Sequence, residues 1–402
     1  MENKIYVNGP HNFFKLKNSK INKTIYLFFD VHLKYEEQTS CGIANSENID
    51  KFLNDYFKNA TQKTDFLLEI YENKEETKTI IQNTNNNYIE QVRKLYIQNK
   101  NINANVNVNA FQNVRFHFID IRFDNTLEFI YNTMVNIIDH INKNELFNFD
   151  YVIEQMILIK NKYIIILEII NNFQNNNNVV LNTNVNVNTN TNVNINANEQ
   201  DSNIILQKNL YKIISRYNDP SVQRIIMQFF EIFCVNKIKY TIQTIDENIN
   251  RYEKYDLNNI NKYFYEISTY GENENKIVDL HNDIFYHDVL CEIKKDMNIL
   301  QRFIYYVEMS IMDTYFLRRF LDKTYINNVI SYTGGFHAST YLWILVKYFD
   351  FEIIEYDFIN FDTDKNKFVE IIKNSNDMFD IMKYVFPLHK KQCILIKPLT
   401  FT

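Results

Sequence analysis

The stretch Asn328–Ala338, Asn-Val-Ile-Ser-Tyr-Thr-Gly-Gly-Phe-His-Ala, restricts the fold more than any other part of the chain. An apolar run of strand length meets a Gly-Gly pair, His337 follows, and a helical pattern opens at Ser339 or Thr340. Only five glycines occur in 402 residues, and Gly334 and Gly335 stand here side by side. Such a pair marks backbone that needs positive φ or close approach to another group. A strand running into a helix N-terminus is also where open α/β sheets place their ligands. The stretch therefore predicts a strand–turn–helix unit with Gly334 and Gly335 as ligand- or cofactor-approach positions and His337 as its reactive side chain.

Other short apolar runs supply the rest of a sheet. Lys23–Val31, Asp65–Tyr71 and Val114–Ile121 are rich in aromatic and branched residues, as strands buried on both faces are. Phe351–Asp357 reads as a fifth strand and Cys393–Ile396 as a sixth. Between them lie helical patterns. Ser46 is placed to cap a helix over Glu47–Phe57, with Ile49, Phe52, Leu53, Tyr56 and Phe57 on one face. Thr126–His140 and Tyr151–Phe173 follow, then Ile204–Arg216, Val222–Val235 and a long helix over about Asp283–Leu321; Pro220 separates the first two of these three. Strands alternating with helices indicate an α/β fold with a mainly parallel sheet flanked by helices. The expected organisation is a first α/β half over 1–150, a helical insertion over 151–325, and a second half over 326–402 that completes the sheet. Asn-rich low-complexity tracts interrupt this plan at 83–87, 101–110 and 174–200, the last read as a disordered insertion.

Charge and cysteine usage narrow the function classes. The net charge of −6 argues against a large phosphate-binding surface, so nucleic acid is a disfavoured partner. The small basic clusters Lys15–Lys17 and His389–Lys391 read as solvated faces. The four cysteines, Cys41, Cys234, Cys291 and Cys393, form no metal-knuckle or CxxC pattern, and reduced thiols are expected. The N-terminus lacks the apolar segment of a signal peptide, and no apolar run reaches the roughly 20 residues of a membrane span. A soluble intracellular, cytoplasmic protein without a membrane partner is the expectation.

Polar groups recur where the strands end: Asp30 and His32 after the first, Glu69 late in the second, Asp120 and Arg122 after the third, His337 after the fourth. In a parallel sheet these ends share one edge, so residues far apart in sequence converge there. His32, Glu69 and His337 form a candidate site for a divalent metal ion. They serve equally as a metal-free acid–base set with a histidine as base and Glu69 orienting it. Arg122 is placed to hold an anionic substrate group or to pair with Asp120. Blander roles stand beside these: an Asp-x-His at a strand end is often structural, and Glu69 among Leu67, Leu68 and Ile70 needs a partner whatever it does. His11, His117, His140, His281, His287 and His389 read as ordinary core or surface residues. Near the end of the long helix, Tyr315 and Arg319 share a stripe at i,i+4, and Asp313 lies in an apolar setting.

Taken in order, Asp30-Val-His32, Leu68-Glu69, Ile119-Asp-Ile-Arg122 and Gly334-Gly-Phe-His337 resemble the motif series of the erythromycin esterase/ChaN-like superfamily, which includes the TraB and Tiki proteins. The resemblance covers 24–125 and 328–358, with Phe29 where that family has Gly and Asp30 where it has Glu. It implies an α/β hydrolase acting on an ester or peptide bond of a small-molecule or peptide substrate, with metal assistance in some members. His32 or His337 would then activate water and Glu69 would orient or ligate. The competing expectation is a non-enzymatic protein that keeps the fold, such as a virion or host-interaction component. Asn-rich insertions of this kind are familiar in giant DNA viruses and some protists, which extends the expected location to a host cytoplasm or a virion.

Overall fold

The computed structural model describes residues 4–38, 40–43, 45–69, 87–95, 111–121, 125–142, 149–175, 197–215, 217–254, 280–358, 364–385 and 392–401. Its strands are β1 (Ile5–Asn8), β2 (Asn12–Asn18), β3 (Lys23–Asp30), β4 (Glu47–Asn48), β5 (Thr64–Leu68), β6 (Val114–Phe118), β7 (Asn328–Gly334), β8 (Glu352–Phe358) and β9 (Cys393–Ile396). The helices are α1 (Ile49–Asn59), α2 (Asn125–Asn142), α3 (Phe149–Asn175), α4 (Ala197–Ile214) and α5 (Pro220–Phe230). They continue as α6 (Asn236–Tyr252), α7 (Leu280–Asp322), α8 (Gly335–Tyr348), α9 (Lys365–Asn374) and α10 (Met378–Val385), with a further short helical segment at 88–95. The chain divides into two compact units, one of residues 1–121, 217–225 and 315–402, the other of 122–216 and 226–314.

The first unit holds a six-stranded sheet in the order β6-β5-β7-β3-β2-β8. The pairings β6/β5, β5/β7 and β7/β3 are parallel, while β3/β2 and β2/β8 are antiparallel. A second sheet, β4-β1-β9, is also mixed. The fold is therefore mixed α/β: where the sequence suggested one mainly parallel sheet there are two mixed ones, with parallel pairing among β6, β5, β7 and β3 and between β1 and β4. The departure comes from β2, whose Lys15 and Lys17 mask a strand between β3 and β8. Lys15 is buried rather than solvated; its ammonium lies 3.5 Å from Glu355 and 5.2 Å from the centroid of the Tyr26 ring.

Every residue of β3 is buried, as a Lys-Thr-Ile-Tyr-Leu-Phe-Phe-Asp strand covered on both faces should be. Tyr26 and Phe28 join Phe66, Leu68, Ile330 and Tyr332 in one core, closed by Phe52, Leu53 and Phe57 of α1. On the alternate positions, Phe29 packs 5.5 Å from Phe14, which stacks 5.9 Å from Phe368 of α9. Helix α1 begins at Ile49 behind Asn48; Ser46 instead donates to the Ile43 carbonyl at 2.9 Å and accepts from Asn8 at 3.2 Å. Cys41 and Cys393 form a disulfide across 352 residues, which overturns the expectation of four reduced thiols; Cys234 and Cys291 keep theirs. The expected reducing, cytosolic setting loses that support.

The second unit is helical: α2, α3, α4 and α6, with the parts of α5 and α7 that fall within its bounds. Helix α5 continues through a π-helical turn at Glu231–Val235 into α6. Val152, Met156, Ile159 and Tyr163 are buried along α3 at the three-to-four spacing of one helix face. The Asn-rich tracts at 101–110 and most of 83–87 and 174–200 lie outside the described residues. Among the described residues no helix is long and apolar enough to cross a membrane.

Candidate acid–base site

Strand register assembles the site. β3 pairs with β7 so that Asp30 lies opposite Gly334, and β5 pairs with β7 so that Leu68 lies opposite Tyr332. The Glu69 amide donates to the Tyr332 carbonyl at 3.3 Å, one residue past the end of β5. Asp30, Glu69 and Gly334 are thereby brought level at the C-terminal edge of three adjacent parallel strands. β7 fills the slot between β3 and β5, two strands that the chain connects through α1. Such a position, where neighbouring strands come from separate parts of the sequence, is where open sheets leave a crevice.

His32 follows β3 with its backbone in the left-handed region, φ 56°. That conformation costs a non-glycine residue about 1–2 kcal/mol. Asp30 holds it there: its Oδ2 accepts the His32 backbone N–H at 2.9 Å and faces Nδ1 at 2.5 Å. The other oxygen, Oδ1, accepts the Tyr332 hydroxyl at 2.9 Å. Asp30 is buried, whereas the His32 side chain is 37% exposed.

Glu69 is clasped from three directions. Its Oε2 accepts the Gly334 backbone N–H at 2.6 Å and lies 3.5 Å from His32 Nε2, while Oε1 lies 3.3 Å from His337 Nε2. Helix α8 starts at Gly335, so the carboxylate also sits at a helix N-terminus, where the peptide dipoles favour an anion. The helix starts four to five residues earlier than Ser339 or Thr340, which puts His337 inside its first turn. Gly334 has φ −56° and ψ 148°, which any residue can adopt. Its lack of a side chain matters for space: a Cβ there would fall 2.8 Å from His32 Nε2 and 3.3 Å from Glu69 Oε2. Of the two explanations for the glycine pair, Gly334 takes close approach; neither Gly334 nor Gly335 has positive φ.

The electrostatics follow from this packing. Burial works against the charged form of His32, but the hydrogen bonds and charges of Asp30 and Glu69 overcome it and raise the imidazole from 6.5 to about 10. Burial would likewise raise the Glu69 carboxyl; the facing His337 and His32 hold it well below the ordinary carboxylate value. At neutral pH the two flanking carboxylates favour the protonated form of His32.

Asp120 is buried two residues beyond β6, on the same strand edge as Glu69, where the Ile119 amide donates to the Leu68 carbonyl at 3.1 Å; Arg122, its anticipated partner, lies outside the described residues. His32, Glu69 and His337 do not fit a metal ion as arranged. The two imidazoles face different oxygens of Glu69, and His32 Nδ1 faces Asp30. Among the described residues no three His, Cys, Asp or Glu side chains are grouped to hold one.

Two contributors were missed. Tyr332 shares the face of Gly334 two residues on, a period-two signal present in the sequence. His11 is buried at the start of β2; burial lowers its imidazole to about 4 against the charge of Asp30 and the Val385 carbonyl. His117, set aside as ordinary, has Nε2 2.5 Å from Asp65 and Nδ1 2.6 Å from Arg319, which also reaches Tyr315 at 3.3 Å along the anticipated stripe. Arg115 completes this network at 2.5 Å from Asp65, near the start of β5 and away from Glu69.

Comparison with known proteins places the chain in a family. The model of a family of unknown function, DUF5847, matches residues 5–399. The chain is 28% identical to the uncharacterized protein R706 of Acanthamoeba polyphaga mimivirus, over 96% of this chain and 94% of that protein. It is 27% identical to protein R161 of the same virus over 95% and 94% of the two chains, and 29% identical to R160 over 86% of each. No solved structure matches. These matches correct the resemblance to the erythromycin esterase/ChaN-like superfamily: the family that spans the chain is a different one, and the shared strand-end motifs are short. The giant-virus hint in the composition agrees with the relatives found. The chain belongs to the DUF5847 family.

Proposed function

We propose that this DUF5847 protein uses the edge site as a metal-free acid–base centre that hydrolyses an ester or peptide bond of a small substrate, with His32 as proton donor. The observation that carries the reading is the exposed His32 ring held between the buried carboxylate of Asp30 and that of Glu69, whose side chain is only 9% exposed. Two anions beside one imidazole keep its proton in place at neutral pH, and exposure of the ring lets a substrate reach it. His32 would give its proton to the departing oxygen or nitrogen as the bond to the carbonyl breaks. The attacking water would return a proton to His32, so the site ends as it began. Asp30 and Glu69 would set the orientation of the ring, and His337 would hold the second oxygen of Glu69.

The test is turnover on a panel of nitrophenyl esters and fluorogenic peptides, by the wild type and by His32→Ala, each after dialysis against a chelator. The expected loss on removing the proton donor is about 10²–10⁴-fold with the fold intact by circular dichroism. Wild-type turnover should persist without metal and fall as pH rises through about 10, where His32 loses its proton. A folded wild type with no turnover on the panel, or a His32→Ala protein with unchanged turnover, would overturn the reading.

A second reading is an ionic lock that fixes the β7–α8 turn against β3 and β5 in a non-enzymatic protein. What favours it is that both oxygens of Glu69 are already occupied by the protein's own donors. The lock predicts that His337→Gln lowers stability while the wild type turns over nothing.

A further inference from the structure

We propose that the protein has a second, separate binding site for a small organic ammonium compound, in a cavity of about 530 Å³ lined by Glu47, Phe52, Asp55, Tyr56, Leu399 and Phe401. The cavity is within the size range of small-molecule sites, about 300–1,000 Å³, and combines apolar walls with a few polar groups as such sites do. Thr61 and Gln62 also line it, just before β5 begins, whereas Glu69 follows the end of that strand. At about 3.3 Å per strand residue, the two sites are roughly 20 Å apart along β5.

Its walls are preset. The backbone of Thr400 exchanges two hydrogen bonds with the Tyr26 hydroxyl, 3.0 Å from its carbonyl and 3.2 Å from its N–H. The Phe401 ring lies edge-on, 5.4 Å from Tyr26 and 6.3 Å from Tyr56. The Tyr56 hydroxyl is spent on Thr64 at 3.0 Å, which fixes the ring. A rigid aromatic wall attracts a cation through its electron-rich face.

The charge at the cavity is complementary to such a cation. Glu47 and Asp55 both line it, close enough to repel one another. Burial raises the Glu47 carboxyl, and Asp55 adds to that rise while Lys51 opposes it. Lys51 lies 3.8 Å from Glu47 with its side chain 67% exposed, a contact that solvent screens. An ammonium group on an apolar body satisfies carboxylates and aromatic walls together; an anion meets repulsion, and a neutral compound leaves the carboxylates unchanged.

Calorimetric titration of the full chain with phenethylammonium and with 2-phenylethanol, its neutral counterpart of similar shape, tests this. The expected result is a dissociation constant on the order of 1 mM or better for the amine, and binding at least about tenfold weaker for the alcohol. Phe401→Ala should weaken the amine, and the pair Glu47→Gln with Asp55→Asn should remove its advantage over the alcohol while the unfolding midpoint stays put. Equal binding of amine and alcohol, or no amine binding at about 10 mM, a concentration well above that constant, would overturn the proposal. Unaltered amine binding by the doubly substituted protein would overturn it as well. His32→Ala should leave the titration unchanged, so the result is independent of the edge site.

Discussion

Substituting Gly334 by Ala isolates the contact around which the edge site is built. The backbone at 334 is compatible with alanine, so the substitution carries no conformational penalty of its own. The added methyl would meet His32 Nε2 at 2.8 Å and Glu69 Oε2 at 3.3 Å, and the first of these is shorter than atoms tolerate. The imidazole must therefore swing off the carboxylate, or strand β7 must shift. Overpacking of this kind costs about 1–3 kcal/mol. The pH dependence identifies which contact was lost. A histidine raised from 6.5 to about 10 on folding contributes stability that is complete below 6.5, declines as pH rises, and is gone above about 10. The wild type should lose stability over that interval, by less than a fully buried pair would, because the ring is 37% exposed. Gly334→Ala should weaken the slope and lower the titration midpoint of His32, while Asp30 keeps that midpoint above 6.5. Urea unfolding at several pH values and the nuclear magnetic resonance titration of His32 measure the two effects. A variant with wild-type stability, slope and midpoint would refute the close-approach argument.

Two further outcomes follow from other parts of the chain. Thiol titration without reductant should detect two thiols after unfolding, from Cys234 and Cys291, and four after reduction. Reducing the Cys41–Cys393 bridge, which closes 352 residues, should lower stability by about 2–5 kcal/mol; four thiols without reductant would contradict the bridge. His11 titrates near 4 when folded and at 6.5 when unfolded, so the unfolded chain gains a proton first as pH falls. Stability should drop from about pH 6.5 towards 4, and His11→Gln should flatten that limb of a denaturation series; an identical limb would show that another group causes it.

Most of the parallel framework was legible in the sequence because a strand buried on both faces declares itself as an apolar run. Residues 23–31, 65–71, 114–121 and 328–333 did so, and each carried its polar terminus with it. β2 was not legible: Lys15 and Lys17 break the run, and Lys15 is made burial-compatible by Glu355, 340 residues away. Likewise no local pattern marks His11 as a neighbour of Asp30 or Cys41 as the partner of Cys393. The resemblance drawn from strand-end motifs failed for a related reason. An acid and a histidine at the ends of parallel strands answer a geometric demand of the sheet, so short motifs of this kind can arise in different families.

The residues alone determined the apolar runs that become β3, β5, β6 and β7 and most of the helical segments, and that His32 and Glu69 follow strand ends with His337 just beyond β7, since these properties depend on periodicity over a few positions. The tertiary structure decided the mixed pairing of the sheet, the left-handed backbone of His32, and the role of Gly334 as space for an imidazole–carboxylate contact. It also set two carboxylates against His32, which favours the protonated imidazole. A pKa depends on charges within a few ångströms, and register brings Asp30 of β3 and Glu69 beyond β5 to the same ring by way of β7.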